Sequence, residues 1–348
     1  MTRLRVAIVG CGLVGGKRAH ALGRDDELIA CHDIEASAAR SLAARHGCAP
    51  CATLRQLLDL RPDVVIVASV HAALASLAEL ALAAGAHVLV EKPGGVSSVE
   101  IDRLIEHQRT SGRLVKVGFN HRFHPALARV AEEARSGRHG EPMRLRARYG
   151  HGGRPGYERE WRADPARSGG GELVDQGMHL LDLSHWLLGP LPLHSALLRT
   201  QFWDAPVEDN AALILGAADA RHGPWALLAV SWTEWKNLFS LELYCQRAKL
   251  QVDGLTGSYG QQRLQIHRMG PELGPPDLEE IAYPGEDRSW SAEWEHFAAA
   301  VRADDGRSLL GDLEAARYAW TQIESAYALA AAGAEPSPAV HSGSGVEG

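Results

Sequence analysis

Long apolar runs, leader-like segments and clustered positive charge are all missing from this chain of 348 residues. No stretch reaches the roughly 18 uninterrupted apolar residues of a membrane-spanning helix, so no membrane partner is expected. Met1-Thr2-Arg3-Leu4-Arg5-Val6 reads directly into a strand and leaves no room for a secretory leader, which makes the cytoplasm the expected compartment. The 36 Lys and Arg are scattered among 43 Asp and Glu, for a formal net charge of −7. That balance argues against nucleic acid or an anionic membrane surface, since both reward a basic face. Cysteines number only five, an odd count that fits reduced thiols better than a disulfide framework. Cys48-Ala49-Pro50-Cys51 has redox or zinc spacing, yet it follows a helix end at Arg45-His46-Gly47, and no further ligands stand at similar spacing. It is read as a structural loop. The histidines show no metal-ligand spacing, and no metal is expected.

What is present is ordinary globular composition, 45% hydrophobic, and length for about two domains. Strands are expected at residues 4–9, 27–32, 63–68, 86–91 and 114–119. Helices at 14–22, 36–45, 54–59, 72–84 and 97–108 alternate with them, the last opened by a Ser97-Ser98-Val99-Glu100 capping box. That alternation over residues 1–120 implies an N-terminal Rossmann domain, an α/β fold with a doubly wound parallel sheet.

The pattern then changes. After a helix at 125–135 and a strand at 143–149 comes a Gly/Arg/Pro-rich loop, 150–167, and a helix at 172–188. Strands follow one another at 193–200, 210–215, 225–232, 238–244, 248–253 and 263–269, and helices at 291–302 and 312–332 close the lobe. Residues 121–332 are therefore a C-terminal α+β domain with a mostly antiparallel open sheet. Trp225, Leu227, Leu228, Val230 and Trp232 occupy both faces of one strand, so a partner subunit is expected to cover the outer face, as a homodimer or homotetramer through this sheet. Residues 333–348, rich in Gly, Ser and Pro, are expected to be a disordered tail.

Gly10-Cys11-Gly12-Leu13-Val14-Gly15 follows a strand and opens a helix, with Asp33 eighteen positions after Gly15. That is the context of a dinucleotide-binding turn. Gly10 permits the tight turn, Gly12 lets the backbone approach the pyrophosphate, and Gly15 allows close helix–strand packing. The helix N-terminus at Leu13 and Val14 offers free N–H groups to the phosphates. The Asp33 carboxylate accepts hydrogen bonds from ribose hydroxyls. It would repel a 2′-phosphate by about 4 kcal/mol per unit charge at about 4 Å and an effective dielectric of about 20. Ile34 supplies no compensating cation, so NAD is the expected cofactor, with NADP the alternative.

Lys92, in Glu91-Lys92-Pro93, is delivered to the carboxyl end of an apolar strand, where ligands of parallel sheets bind. A lysine beside a nicotinamide suggests redox chemistry on an alcohol or ketone. Gly169-Gly170-Gly171 opens the second lobe's main helix, and Asp175 and His179 follow on it four residues apart, hence on one face. Oxidising a secondary alcohol needs a base for the hydroxyl proton. A histidine beside a carboxylate suits that task, although such a pair also arises simply to satisfy its own hydrogen bonds. The loop from His151 to Arg162 carries Arg154, Tyr157 and Trp161, forked donors and rings suited to a polyol or phosphate; a solvated charged loop is the plain alternative.

Taken in order, the glycine turn, Glu91-Lys92-Pro93, Gly118-Phe119-Asn120-His121-Arg122-Phe123 and Gly170-Gly171…Asp175-x-Gly177-x-His179-x-x-Asp182 resemble the glucose–fructose oxidoreductase / inositol dehydrogenase / rhizopine-catabolism (Gfo/Idh/MocA) family, nearly to Ala332. The resemblance implies an NAD(P)-dependent oxidoreductase acting on a ring hydroxyl of a sugar, sugar nucleotide or cyclitol. Lys92 would hydrogen-bond the reacting oxygen and, with Glu91, lie on the cofactor side. His179 would be the general acid/base, and Asp175 would orient it or bind an adjacent hydroxyl. Asn120 and Arg122 join the substrate-binding set. The family's Thr-Pro-Asn after the fourth strand is here Ser69-Val70-His71. Ser69 and His71 are placed at the cofactor, His71 serving either there or as a cap for the next helix. A likeness to cyclitol oxidoreductases, and that likeness alone, adds aminocyclitol-antibiotic biosynthesis as an expected setting. Two other readings stand beside this one: a glycosidase working by transient oxidation with NAD retained, and a non-catalytic dinucleotide sensor, which would not need Lys92, Asp175 and His179.

Overall fold

Apolar β-branched runs with no polar face lie deepest in the first lobe, as strands covered on both sides must. The computed structural model describes residues 3–217 and 221–332. The chain opens with β1 (Arg5–Val9), α1 (Leu13–Ala21), β2 (Glu27–His32), α2 (Ala36–His46), β3 (Ala49–Cys51), α3 (Leu54–Asp59), β4 (Val64–Val67), α4 (His71–Ala83), β5 (His87–Glu91), α5 (Ser98–Ser111) and β6 (Val115–Gly118). All six strands are parallel, in the order β3-β2-β1-β4-β5-β6. The order reverses between β1 and β4, and a ligand crevice opens at that point of such a sheet.

Two local expectations are corrected here. The Cys48-Ala49-Pro50-Cys51 segment is not a loop, because Ala49–Cys51 pairs with β2 as the edge strand β3. Pro50 is tolerated there because an edge strand can spare its missing N–H. All five cysteines are free thiols. Ser97 Oγ accepts from Glu100 N (3.3 Å), but Glu100 directs its carboxylate to Val96 N (2.8 Å), one residue earlier than a capping box requires.

The second lobe contains α6 (Pro125–Arg135), β7 (Pro142–Gly150), the short α7 (Pro165–Ser168), α8 (Met178–Leu188), β8 (Leu193–Arg199), β9 (Asn210–Leu215), β10 (Trp225–Ser231), β11 (Leu238–Cys245), β12 (Ala248–Asp253), β13 (Gln262–Arg268), β14 (Asp277–Tyr283), α9 (Ser289–Ala303) and α10 (Leu313–Ala332). The eight strands run β14-β13-β12-β11-β7-β10-β9-β8, antiparallel except where β10 lies parallel to β7. β10 and β11 are consecutive in sequence, yet β7 slips between them. The strand β14 has no counterpart among the expected elements. Its Asp277-Leu278-Glu279-Glu280 start is charged and exposed at the sheet edge, so it carries little apolar alternation.

Helices α6, α8 and α10 cover one face of this sheet. The other face leaves Leu197, Ile214, Trp225 and Leu227 between 36% and 52% exposed. Helix α9 turns back onto the first lobe, where Trp294 and Phe297 join the core beside β1, α1 and α2. Glu293 locks it there between Arg18 (2.6 Å) and Lys116 (3.2 Å), all three fully buried. The tail expected at 333–348 lies outside the described residues.

Candidate active site

The glycine turn is built as its spacing requires. Gly10 has φ +93°, and a Cβ there would meet Ala68 O at 2.2 Å; one on Gly15 would meet Gly10 O at 2.0 Å. A Cβ on Gly12 would meet nothing within 4 Å, so the space above that backbone, where α1 begins, is open to a ligand. Asp33 is held at the end of β2 by Cys11 N (2.6 Å) and Glu35 N (2.8 Å). Ile34 is almost fully exposed, and Ser69 N sits 3.0 Å from the position of a Gly10 Cβ. Open space over Gly12, unpartnered helix-start geometry and a fixed carboxylate beside them fit a dinucleotide with unphosphorylated ribose.

From Leu13, Val14 and Lys17 a cavity of 920 Å³ runs to Lys92, Asn120, His121, Tyr149, Asp175 and His179. Lys92 follows β5, its peptide to Pro93 is cis, and its Nζ donates to both Asp175 Oδ1 and Asp175 O at 2.6 Å. Asp175 lies in a wide π-type turn, Leu173–Gly177, before α8, a distortion that recurs at functional sites. Arg162 Nε donates to Asp175 Oδ2 at 3.1 Å. Burial alone would raise the Asp175 carboxyl, but Lys92 and Arg162 outweigh it and hold the group well below the usual carboxylate range.

The expected Asp175–His179 hydrogen bond is therefore replaced by Asp175–Lys92 and Asp175–Arg162. His179 instead stacks on His121, ring centroids 3.8 Å apart at 27°, and its Nδ1 is buried without a partner among the described residues. Burial first, then the Lys92 charge, push the His179 imidazole well below its ordinary value, so it is neutral at neutral pH. A neutral imidazole and an ammonium group facing one cavity can accept a proton and polarise an oxygen.

Several expected site residues take other roles. Arg122 does not face the cavity: it donates Nε and Nη2 to Asp182 (2.9 and 2.6 Å), with both side chains buried. Trp161 packs edge-on against His71 at 4.8 Å and is absent from the cavity lining. His71 neither caps α4 nor reaches the glycine turn. Its Nδ1 lies 2.8 Å from Ser168 O, and burial, then Lys92, bring its imidazole down to about 3. Glu91 lines the cavity but is paired with Arg18 at 2.5 Å. Asn120, Arg154 and Tyr157 do line it, although Arg154 is paired with Glu160.

Sequence reasoning missed His121, Tyr149, His151, Arg162, Thr256 and Tyr259, all in the lining. His121 and Arg162 lay within segments already singled out, whereas nothing local marks Thr256 or Tyr259. Among the described residues, His151, Glu172 and Asp175 place ligand-capable atoms within 4.8 Å of one another. Both Asp175 oxygens are engaged by cations, and His151 Nδ1 accepts from Gly153 N (2.9 Å).

Residues 4–119 match an oxidoreductase family described as having an NAD-binding Rossmann fold, and residues 127–251 match the Gfo/Idh/MocA C-terminal domain. The chain is 34% identical over 192 residues to D-glucoside 3-dehydrogenase of Escherichia coli (strain K12), covering 53% of this chain and 54% of that protein. It is 29% identical over 215 residues to inositol 2-dehydrogenase 2 of Saccharopolyspora erythraea, covering 58% and 61%. These matches span a little over half the length of those relatives. Among solved structures, GenD2 from gentamicin A biosynthesis in complex with NAD superposes with a TM-score of 0.80 at 25% identity, over 96% of this chain and 95% of that one. Levoglucosan dehydrogenase with NADH and L-sorbose shares the fold, TM-score 0.83, at 18% identity over 94% and 98%. The chain belongs to the Gfo/Idh/MocA family of NAD-binding oxidoreductases.

Proposed function

We propose that the protein is an NAD-dependent oxidoreductase that interconverts a secondary hydroxyl and a ketone on the ring of a cyclitol, sugar or sugar nucleotide. The observation that carries this reading is the meeting of Lys92 and His179 in one cavity that begins at the glycine turn. NAD, when bound, supplies the hydride acceptor or donor. In the oxidation direction Lys92 Nζ, poised by Asp175, donates to the substrate oxygen as negative charge develops there. Neutral His179 takes the hydroxyl proton. Asn120, Arg154 and Tyr157 line the same cavity and are the candidates to hold the remaining hydroxyls. The carboxylate of Asp33 favours NAD over NADP. Relatives named for glucoside and inositol oxidation, and a structural neighbour from an aminoglycoside pathway, support a ring polyol and, more finely, an aminocyclitol or aminosugar setting.

The apolar outer sheet face supports a homodimer or homotetramer, residues 1–120 and 121–332 serving as cofactor and substrate domains. Free thiols suit a reducing compartment, and no helix among the described residues is long and apolar enough to cross a membrane. The decisive experiment is Lys92→Met, assayed for NAD reduction against myo-inositol, scyllo-inositol, aminoinositols and common sugars. Turnover is expected to vanish while calorimetric NAD affinity stays within about threefold; retained turnover removes the lysine from the mechanism.

A further inference from the structure

Glu172 takes no part in the chemistry above, and its surroundings do not suit a charged group. The residue has no exposed surface, and neither carboxyl oxygen meets a hydrogen-bond donor among the described residues. Glu208, packed on the same turn, makes the contrast. It is also buried, yet it accepts from Gly171 N (3.1 Å), Leu173 N (3.0 Å) and Tyr327 Oη (3.0 Å). The backbone N–H groups that a charged Glu172 would need at this helix start are already engaged by Glu208, and Glu172's own N–H donates to Glu208 O (3.0 Å). An ionised carboxylate stripped of both water and donors is strongly disfavoured, and such a group holds its proton.

The neighbours reinforce this. From its own turn Glu172 faces Asp175, from the segment before β9 it faces Glu208, and across Asp175 it feels Lys92. His151, after β7, brings a ring nitrogen within 4.8 Å of the Glu172 and Asp175 oxygens. The phenols of Tyr149, Tyr157 and Tyr259 face the same charge. Trp232, after β10, turns its indole N–H toward the carboxyl, yet Nε1 finds no partner at hydrogen-bond geometry. Two of these neighbours are acidic. Lys92, the cation whose charge reaches Glu172, is already bound to Asp175 at 2.6 Å.

We propose that Glu172 is a neutral carboxylic acid in the working protein, a positioning residue whose lack of charge keeps Asp175 matched to Lys92 and Arg162. The inference rests on the reading of Lys92 and Asp175 as part of the reacting centre. With Glu172 neutral, the group of Glu172, Asp175 and His151 carries one negative charge, held by two cations. Loss of its proton would add a second negative charge beside Asp175. Lys92 would then be drawn toward the carboxylates, and its hydrogen bond to the substrate oxygen would weaken. Burial first, then the Asp175 charge, raise the Glu172 carboxyl well above its ordinary value.

The test compares Glu172→Gln, which fixes the neutral shape, with the wild-type protein by denaturant unfolding between pH 5 and 8. A carboxyl protonated in the folded chain and ionised in the unfolded one binds more protons when folded. Wild-type stability therefore falls as pH rises above the unfolded carboxyl value of 4.5. Glu172→Gln is expected to lack that contribution, so the ratio of the two unfolding constants shifts in its favour by up to tenfold per pH unit. A ratio constant across the range overturns the proposal. Glu172→Met, apolar and of similar length, is expected to show the same shift and serves if the glutamine variant folds poorly. In turnover, kcat of Glu172→Gln relative to wild type is expected to rise on the alkaline side, and a constant ratio up to about pH 10 overturns the link to Lys92. If the stability shift appears while Lys92→Met retains turnover, the proposed reaction falls and the neutral carboxyl stands.

Discussion

Proton abstraction from an alcohol needs an unprotonated base, and burial together with the Lys92 charge keeps His179 in that form. The sign follows directly. Because the folded-state imidazole value is lowered, activity is retained down through the ordinary histidine range and lost only as pH falls through the depressed value. The acid limb of kcat/KM is therefore expected below 6.5, and His179→Asn is expected to lower kcat by about 10²–10⁴-fold and abolish that limb. A wild-type profile already falling above 6.5, or a limb unchanged in the variant, would exclude His179 as the base. Lys92, Asp175 and His179 were legible in the sequence because each chemistry-bearing side chain sits in a motif with a fixed place on a strand end or helix. The partner of Asp175 was not legible. Spacing by four residues pairs it with His179 in a regular helix, and only the π-type turn and the cross-lobe position of Lys92 redirect it. The His121 stack is a contact between segments far apart in sequence, which no local pattern encodes.

Between residues and the whole molecule, the short 3₁₀ turn at Asn120–Phe123 ties the end of the parallel sheet to α8. Arg122 does the tying, with two nitrogens on Asp182 and its guanidinium 5.5 Å from the Trp186 ring. Asp182 is fully buried, and burial raises its carboxyl despite the Arg122 charge. Removing the arginine leaves that acid uncompensated, so Arg122→Leu is expected to cost about 3–5 kcal/mol in denaturant unfolding, with most of it recovered in the Arg122→Leu/Asp182→Leu double variant. Unchanged stability with weakened substrate binding would return Arg122 to the substrate-binding set. The sequence marked this residue by motif but could not say which way it points. The same limit applies to whole elements. Continuous apolar runs announced β4 and β5, and the glycine turn announced α1, because burial on both faces leaves a signal in composition. β14 is half solvated and charged at its start, and β7 enters the sheet between strands remote from it in sequence, so neither edge nor strand order was readable.

At the scale of the molecule, the second sheet is asymmetric in what covers its two faces. Its inner face is closed by α6, α8 and α10, while the outer face divides into two halves. Strands β8 to β10 present Leu197, Ile214, Leu227 and Trp225, with Leu227 directly opposite Ile214 in the register. β7 and β11 present Arg146 paired with Glu242 at 3.0 Å, also in register. An apolar half beside a charged half suits a two-fold contact, in which the same patch meets itself and buries the hydrophobic side chains at its centre. A stable obligate contact commonly buries about 2,000 Å² or more, an area that an eight-stranded face can supply. Light scattering is therefore expected to give a dimer or tetramer for the wild type. Leu227→Glu together with Ile214→Glu is expected to give a monomer, because two like charges placed opposite each other repel within the strand pair and across the contact. The glycine turn and the cavity lie away from these positions, so NAD affinity is expected to survive the change. A wild-type monomer at micromolar concentration would sink the assembly and leave the exposed tryptophan at position 225 without a structural reason.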